Sequence, residues 1–198
     1  MKIVSLTLEN FRSYKDPVTI SFNDLTVLIG KNDIGKSSVL EALDIFFDNK
    51  KIDSDDVNII ARQNGESAKL TVIFKNIPNE LDIDSGGKTK LNEEYLLDKD
   101  GLLKIKKDYS SLSKPKTYIL CHHPSNENAN DLFYLNITQL QKRVKELGVE
   151  GDFKANTKNE IRKAIWNSLG DSIELQHTEL ETGKDGVKDI WEKLTPHF

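Results

Sequence analysis

Residues 28–38 read LIGKNDIGKSS, and this stretch leaves the chain few ways to fold around it. Two glycines frame four residues, with Lys36 and Ser37 directly behind, which is the Walker A spacing G-x-x-x-x-G-K-[ST]. Gly30 and Gly35 permit backbone conformations that side chains would block, so successive amide N–H groups can point into one cup. A helix beginning near Gly35 adds its positive end and its unbonded donors, both of which favour an anion. In such a cup Lys36 reaches the β- and γ-phosphates and the Ser37 hydroxyl ligates Mg²⁺. The surroundings agree. DLTVLIG, just before the loop, is nearly continuously apolar and reads as a short buried strand. Behind it Val39, Leu40, Leu43, Phe46 and Phe47 recur at helical spacing, with Glu41, Asp44 and Asp48 mainly elsewhere. Strand, glycine loop and helix together point to a nucleotide phosphate site, where an ordinary glycine-rich turn would lack that setting. Its candidate residues are Gly30, Lys31, Asn32, Asp33, Ile34, Gly35, Lys36, Ser37 and Ser38. Lys36 acts on the reacting phosphates, and Ser37 is the metal ligand.

Composition narrows the class. The chain has 198 residues, enough for one domain with an appendage. A net charge of −4 gives no global nucleic-acid signature, although a local basic surface is compatible with it. A single cysteine, Cys121, excludes an intramolecular disulfide framework and fits a reducing compartment. The N-terminus MKIVSLTLENF alternates apolar and polar residues, unlike a signal peptide, and no run approaches a membrane span. A soluble, cytoplasmic protein with no membrane partner is expected.

Strands dominate the first part of the sequence. Val4, Leu6 and Leu8 alternate with Ser5, Thr7 and Glu9; PVTISF repeats the pattern. Ala68, Leu70, Val72 and Phe74 then share one face of a third strand. Residues 79–93 read as a loop, residues 94–109 as a hairpin turning at 98–101, and KTYILC as one more strand followed by a loop from His122. Helices follow. Ile137, Leu140, Val144 and Leu147 line one face before Gly148. Thr157 and Glu160 suggest a capping box ahead of Ile161, Ala164, Ile165 and Leu169. A last helix is expected over 187–194. The domain expectation is a nucleotide-binding core over 1–121 and a helical lobe over 122–198. Antiparallel ribbons around one phosphate loop suggest a mixed sheet rather than a purely parallel one.

The sequence resembles the N-terminal part of the SMC/RecF/OLD branch of ABC-type ATPases. The resemblance rests on LTLENFRSY, on SFNDLTVLIGKNDIGKSSVLEALDIFF and on AKLTVIF, and is clear over residues 1–75. GKNDIGKSSVLEAL is most similar to OLD-family and related defence ATPases, with Asp33 where SMC and RecF proteins carry glycine. The resemblance implies an α/β P-loop NTPase of the ABC-ATPase-head type, with ATP and Mg²⁺ as cofactors. It implies that Arg12 lies near the nucleotide and that Asn32 faces the γ-phosphate region. A glutamine near the metal is also implied, with Gln63, Gln139 and Gln141 as candidates and an exposed helical glutamine as the plainer reading of each. In the full-length protein it implies ATP hydrolysis, self-association head to head, DNA as a partner in processing, repair or phage defence, and in OLD relatives a separate nuclease domain.

Other hallmarks of that branch are missing. No four apolar residues precede Asp-Glu as a Walker B strand would require. Ser85-Gly86-Gly87 is not followed by an apolar helix, and LLKIKKD ends in Asp108 with lysines alternating through it. The helical pattern has not tapered at EKLTPHF, so the expectation is an incomplete domain, the N-terminal piece of a longer protein, which alone binds ATP without efficient hydrolysis. A P-loop GTPase or nucleotide kinase is the rival enzyme class, but NKKID misses the guanine-reading N-K-x-D spacing. An assembly module that binds nucleotide without hydrolysing it is the other alternative. Cys121, His122 and His123 are adjacent and lack a second pair at metal-site spacing, so a polar loop start is the better reading. Lys104, Lys106, Lys107, Lys114 and Lys116 form the main basic cluster, read as a solvated face with a DNA-phosphate track as the alternative.

Overall fold

The computed structural model describes residues 1–30, 35–83, 87–182 and 194. The strands are β1 (Lys2–Glu9), β2 (Val18–Ser21), β3 (Lys69–Lys75), β4 (Leu81–Asp82), β5 (Lys88–Thr89), β6 (Leu103–Asp108), β7 (Lys116–Pro124) and β8 (Leu175–Thr182). The α-helices are α1 (Lys36–Phe46), α2 (Ile59–Gln63), α3 (Ile137–Leu147) and α4 (Lys158–Leu169). The class is α/β with antiparallel strands, as expected for a P-loop ATPase type of domain. The chain forms two compact units, Met1–Asn76 with Lys104–Tyr118, and Ile77–Leu103 with Ile119–Phe198. It passes from one to the other within β6 and again within β7.

In the first unit the strands lie in the order β2-β1-β3-β6-β7. β1 is antiparallel to both neighbours, pairing Leu6 with Val72 and Leu8 with Leu70 of β3. All four of these side chains are fully buried, while Thr7 faces the other way and meets the Thr19 hydroxyl of β2 at 2.8 Å. The period-two reading therefore holds for β3 and for β1 from Leu6 onward; a register shift between Ile3 and Ser5 breaks it before that, so Ser5 is buried and Val4 is half-buried. α1 buries Val39, Ala42, Ile45 and Phe46, and the Phe46 ring lies 6.3 Å from that of Phe74 on β3. Val39, Ile45 and Phe46 each contribute about 1.5–3 kcal/mol by leaving water. The buried stripe is rotated from the expected one. Leu40 is 60% exposed, and Ala42 and Ile45 occupy the inward face instead.

Residues 24–30 do not form the expected buried strand. They have no strand structure, and Leu25, Val27 and Ile29 are 84%, 67% and 90% exposed. The physical reason is partnership: a strand apolar on both sides is stable only with neighbours along its edges and cover on its faces. Among the described residues no ladder is offered to this segment.

β6 alternates as a half-buried strand should, which leaves Lys104 and Lys106 half-exposed on one face. The same alternation turns Lys107 inward, and this corrects its place in the basic cluster. Its ammonium is buried, bonded to both Asp48 carboxylate oxygens at 2.7 Å and set 5.5 Å from the centre of the Phe46 ring. Asp48, just past α1, adopts a left-handed φ of 62°. Burial draws the Lys107 pKa down against the opposing pull of Asp48.

The second unit holds a small antiparallel pair, β4 with β5, within the stretch read as a loop. The turn at 98–101 is present: Gly101 N donates to Asp98 O, and the Asp98 side chain accepts from Asp100 N and Leu102 N. α3 begins with a full capping box between Asn136 and Gln139 and ends at left-handed Gly148. α4 lacks the expected Thr157 cap; Asn159 Oδ1 accepts from Glu160 N instead. The expected helix over 187–194 lies outside the described residues except for Leu194. β7 runs on through His122, His123 and Pro124, correcting the loop reading, because β8 pairs alongside it. His123 is consequently buried among Phe133 and Trp166, its Nδ1 bonded to Tyr95 O at 3.1 Å, and burial lowers its pKa to about 4. α4 sets Arg162 against Glu94 at 2.8 Å with both side chains buried, and Trp166 Nε1 donates to Ala129 O. No helix among the described residues is long and apolar enough to cross a membrane.

Candidate functional site

α1 starts where the glycine loop ends. Gly35 is its N-cap, with φ 94°, a left-handed conformation that costs any L side chain about 1–2 kcal/mol. Space imposes a second demand. A Cβ on Gly35 would stand 2.9 Å from Ser13 Oγ and 3.0 Å from the Tyr14 hydroxyl, both on the turn after β1. The Tyr14 hydroxyl itself donates to Gly35 O at 3.3 Å. The turn thus clasps the start of the helix, and glycine is required for shape and for room.

The helix end is electrostatically suited to an anion. Gly35 provides no side-chain acceptor to cap the first N–H groups, and the first turn contains no acidic residue. Lys36 Nζ donates to Gly30 O at 2.6 Å, which links the two ends of the glycine loop. Ser37 is exposed and Ser38 is buried under the helix. Of the predicted loop residues, the structure brings Gly30, Gly35 and Lys36 together. Lys31, Asn32, Asp33 and Ile34 lie outside the described residues.

Arg12 occupies the same turn at φ 48°. Its N–H donates to Asp56 O and its carbonyl accepts from Asn58 Nδ2, which fixes the backbone. Its guanidinium donates to both Glu41 oxygens, at 2.8 and 2.7 Å, and through Nε to Asp56 Oδ1 at 2.8 Å. Arg12, and after it Lys50, holds the Glu41 carboxyl down to about 2, and Glu41 in turn raises the Arg12 pKa. Sequence reasoning placed Arg12 in the site but missed Ser13, Tyr14, Glu41 and Asp56. A signal existed for Glu41, which lies four residues after Ser37 and so on its side of α1. Nothing comparable marks Asp56, because its link to Arg12 is made only by folding.

Gln63 is the exposed last residue of α2. Gln139 closes the α3 capping box, and Gln141 Nε2 donates to Ala155 O at 2.6 Å. Asp108 accepts from Ser67 Oγ at 2.7 Å and from Ser110 N. Cys121 is buried, and burial pushes its thiol up to about 12. Among the described residues no group of three or more His, Cys, Asp or Glu is placed to hold a metal ion. The Lys106 ammonium lies 4.8 Å from the centre of the Tyr118 ring.

Known proteins carry related sequences. A family profile described as an AAA ATPase domain matches residues 1–198. The uncharacterized protein MJECL44 of Methanocaldococcus jannaschii is 28% identical over 140 residues, spanning 60% of this chain and 42% of that protein. The DNA replication and repair protein RecF of Rickettsia prowazekii is 30% identical over 71 residues, spanning 36% of this chain and 20% of that protein. The chain thus spans less than half the length of either relative.

Proposed function

The chain belongs to the family of AAA ATPase domains, and from that premise we propose that it binds MgATP at residues 30–38. The carrying observation is the start of α1 at Gly35, which has no side chain to cap it and is followed by a first turn without acidic residues, held against the Ser13–Tyr14 turn, with Lys36 folded across the loop ends. Lys36 would contact the β- and γ-phosphates, Ser37 would ligate Mg²⁺, and Arg12 would serve the nucleotide from the neighbouring turn. Lys31, Asn32, Asp33, Ile34 and Ser38 complete the proposed cradle. Bound MgATP would supply the transferable γ-phosphoryl group.

The wider role follows the relatives. Similarity to RecF supports an SMC/RecF-like protein in which ATP-dependent self-association is coupled to DNA processing or repair. The sequence GKNDIGKSSVLEAL supports an OLD-like, defence-type member, with any nuclease domain outside these residues. The 198-residue chain is proposed to bind ATP with little turnover, since Lys36, Ser37 and loop amides hold phosphates but do not orient water. Titration calorimetry with MgATP tests the site. Lys36→Ala should weaken binding by about ten- to a hundredfold, the loss of a charge-assisted contact. Equal affinity in the two proteins would refute the assignment.

A further inference from the structure

Arg12 is committed to anions on α1 and beyond, and one of them is positioned to compete with a ligand. Glu41 receives both arms of the guanidinium fork and is also paired with the Lys50 ammonium. It lies one helical turn past Ser37, so the residue that holds the fork is set about 6 Å along the helix from Ser37 and farther from the Gly35 end. Ser13 and Tyr14, the residues next to Arg12, already abut Gly35. The cation is therefore anchored beside the phosphate loop but turned to a carboxylate.

A guanidinium fork recognises carboxylate and phosphate through the same pair of parallel N–H donors, so it can serve one of them at a time. Three features permit exchange here. The Arg12 and Glu41 side chains keep 26% and 32% of their exposure, so neither must cross an apolar core to separate. Lys50 remains on Glu41 when Arg12 leaves, so that carboxylate keeps a counter-charge. Asp56 retains the backbone donor Asp53 N at 3.1 Å. The Arg162–Glu94 pair of the second unit has less latitude: at 1% and 0% exposure, parting it would leave two charges buried away from water, although the Thr89 hydroxyl would still donate to Glu94 Oε1.

We propose that Glu41 is a carboxylate latch on Arg12, a positioning residue that competes with nucleotide phosphate for the guanidinium fork. Binding at residues 30–38 and release of the Arg12–Glu41 pair are then one linked equilibrium, and the self-contact lowers apparent nucleotide affinity by the fraction of time the fork is occupied. The proposal rests on the MgATP reading above.

Titration calorimetry with MgATP on the 198-residue chain tests it. Glu41→Gln should bind about two- to fivefold more tightly than wild type, the scale of a partly exposed ion pair. That gain should vanish when Arg12→Ala is added, which a general loosening of the fold would not produce. Lys50→Met leaves Glu41 to Arg12 alone and should bind about twofold more weakly. Lys50 is surface-exposed, so this variant decides the matter by itself if Glu41→Gln fails to fold. Unchanged or weaker binding by Glu41→Gln, or unchanged binding by Lys50→Met, overturns the latch. If Lys36→Ala loses binding in the same series, the nucleotide site stands without the latch. Equal binding by wild type and Lys36→Ala overturns both.

Discussion

Residues 24–30 and α1 flank the same glycine loop, and both are rich in apolar side chains, yet their surroundings are opposite. α1 buries Val39, Ala42, Ile45 and Phe46, while Leu25, Val27 and Ile29 stand in solvent. A helix closes its own backbone hydrogen bonds and needs cover on one face only, which β3 supplies through Phe74. A strand closes none of its own and depends on at least one paired neighbour, as the edge strand β2 depends on β1. Equal hydrophobicity therefore yields unequal order, and the deciding quantity is how many partners each backbone requires.

The contrast can be broken most forcefully from the helical side. Phe46→Ala removes a fully buried ring and should cost about 3–5 kcal/mol of unfolding free energy, read as a lower urea midpoint at unchanged slope. A loss near that expected for a surface residue would mean that α1 is not the organising element.

Gly35→Ala should come next. The left-handed conformation alone costs about 1–2 kcal/mol, and the crowding against Ser13 and Tyr14 adds to it. Thermal melting should fall and MgATP affinity should drop with it; wild-type values for both would show that the clasp is unnecessary.

Acid offers a graded version. The folded-state pKa of Glu41 is depressed to about 2 by Arg12 and Lys50, so its contribution is complete above the ordinary carboxylate value near 4.5 and fades as pH falls towards 2. Amide exchange in α1, corrected for intrinsic rates, should accelerate across that window. Amides of residues 24–30 should already exchange fast and show no such step. Constant α1 protection down to pH 2 would remove the pair from the account.

The smallest effect belongs to the strand side. Ile29→Ser should change stability by no more than about 0.5 kcal/mol, as surface substitutions do. A larger loss would reveal cover over residues 24–30 that the described residues do not supply.

The same distinction explains what was legible in the sequence. β1 and β3 show in the alternation of Leu6, Leu8, Leu70 and Val72, because a strand with one buried face writes that burial into its own sequence wherever its partner lies. α3 announces itself through Ile137, Leu140, Val144 and Leu147 on one face and Gly148 at its end, signals that act within a few turns, while its Asn136–Gln139 capping box goes unread. Lys107 misleads because its neutraliser, Asp48, lies 59 residues away in sequence. β8 escapes notice because its register depends on β7, and with it the burial of His123. In the candidate site, Gly35 and Lys36 are readable from spacing alone. Glu41 shows only its place four residues after Ser37, and Tyr14 and Asp56 join them through tertiary contacts, which no local pattern encodes.

The double constraint on Gly35 has an evolutionary consequence. A substitution there could in principle be relieved by shrinking Tyr14 or Ser13, since that would restore room for a side chain. It would leave the backbone dihedral where it is, at 94°, and no change on the facing turn alters that sign. Position 35 therefore has no single-step suppressor within its own contact shell. Any lineage that replaced this glycine would have to rebuild the path of the chain into α1.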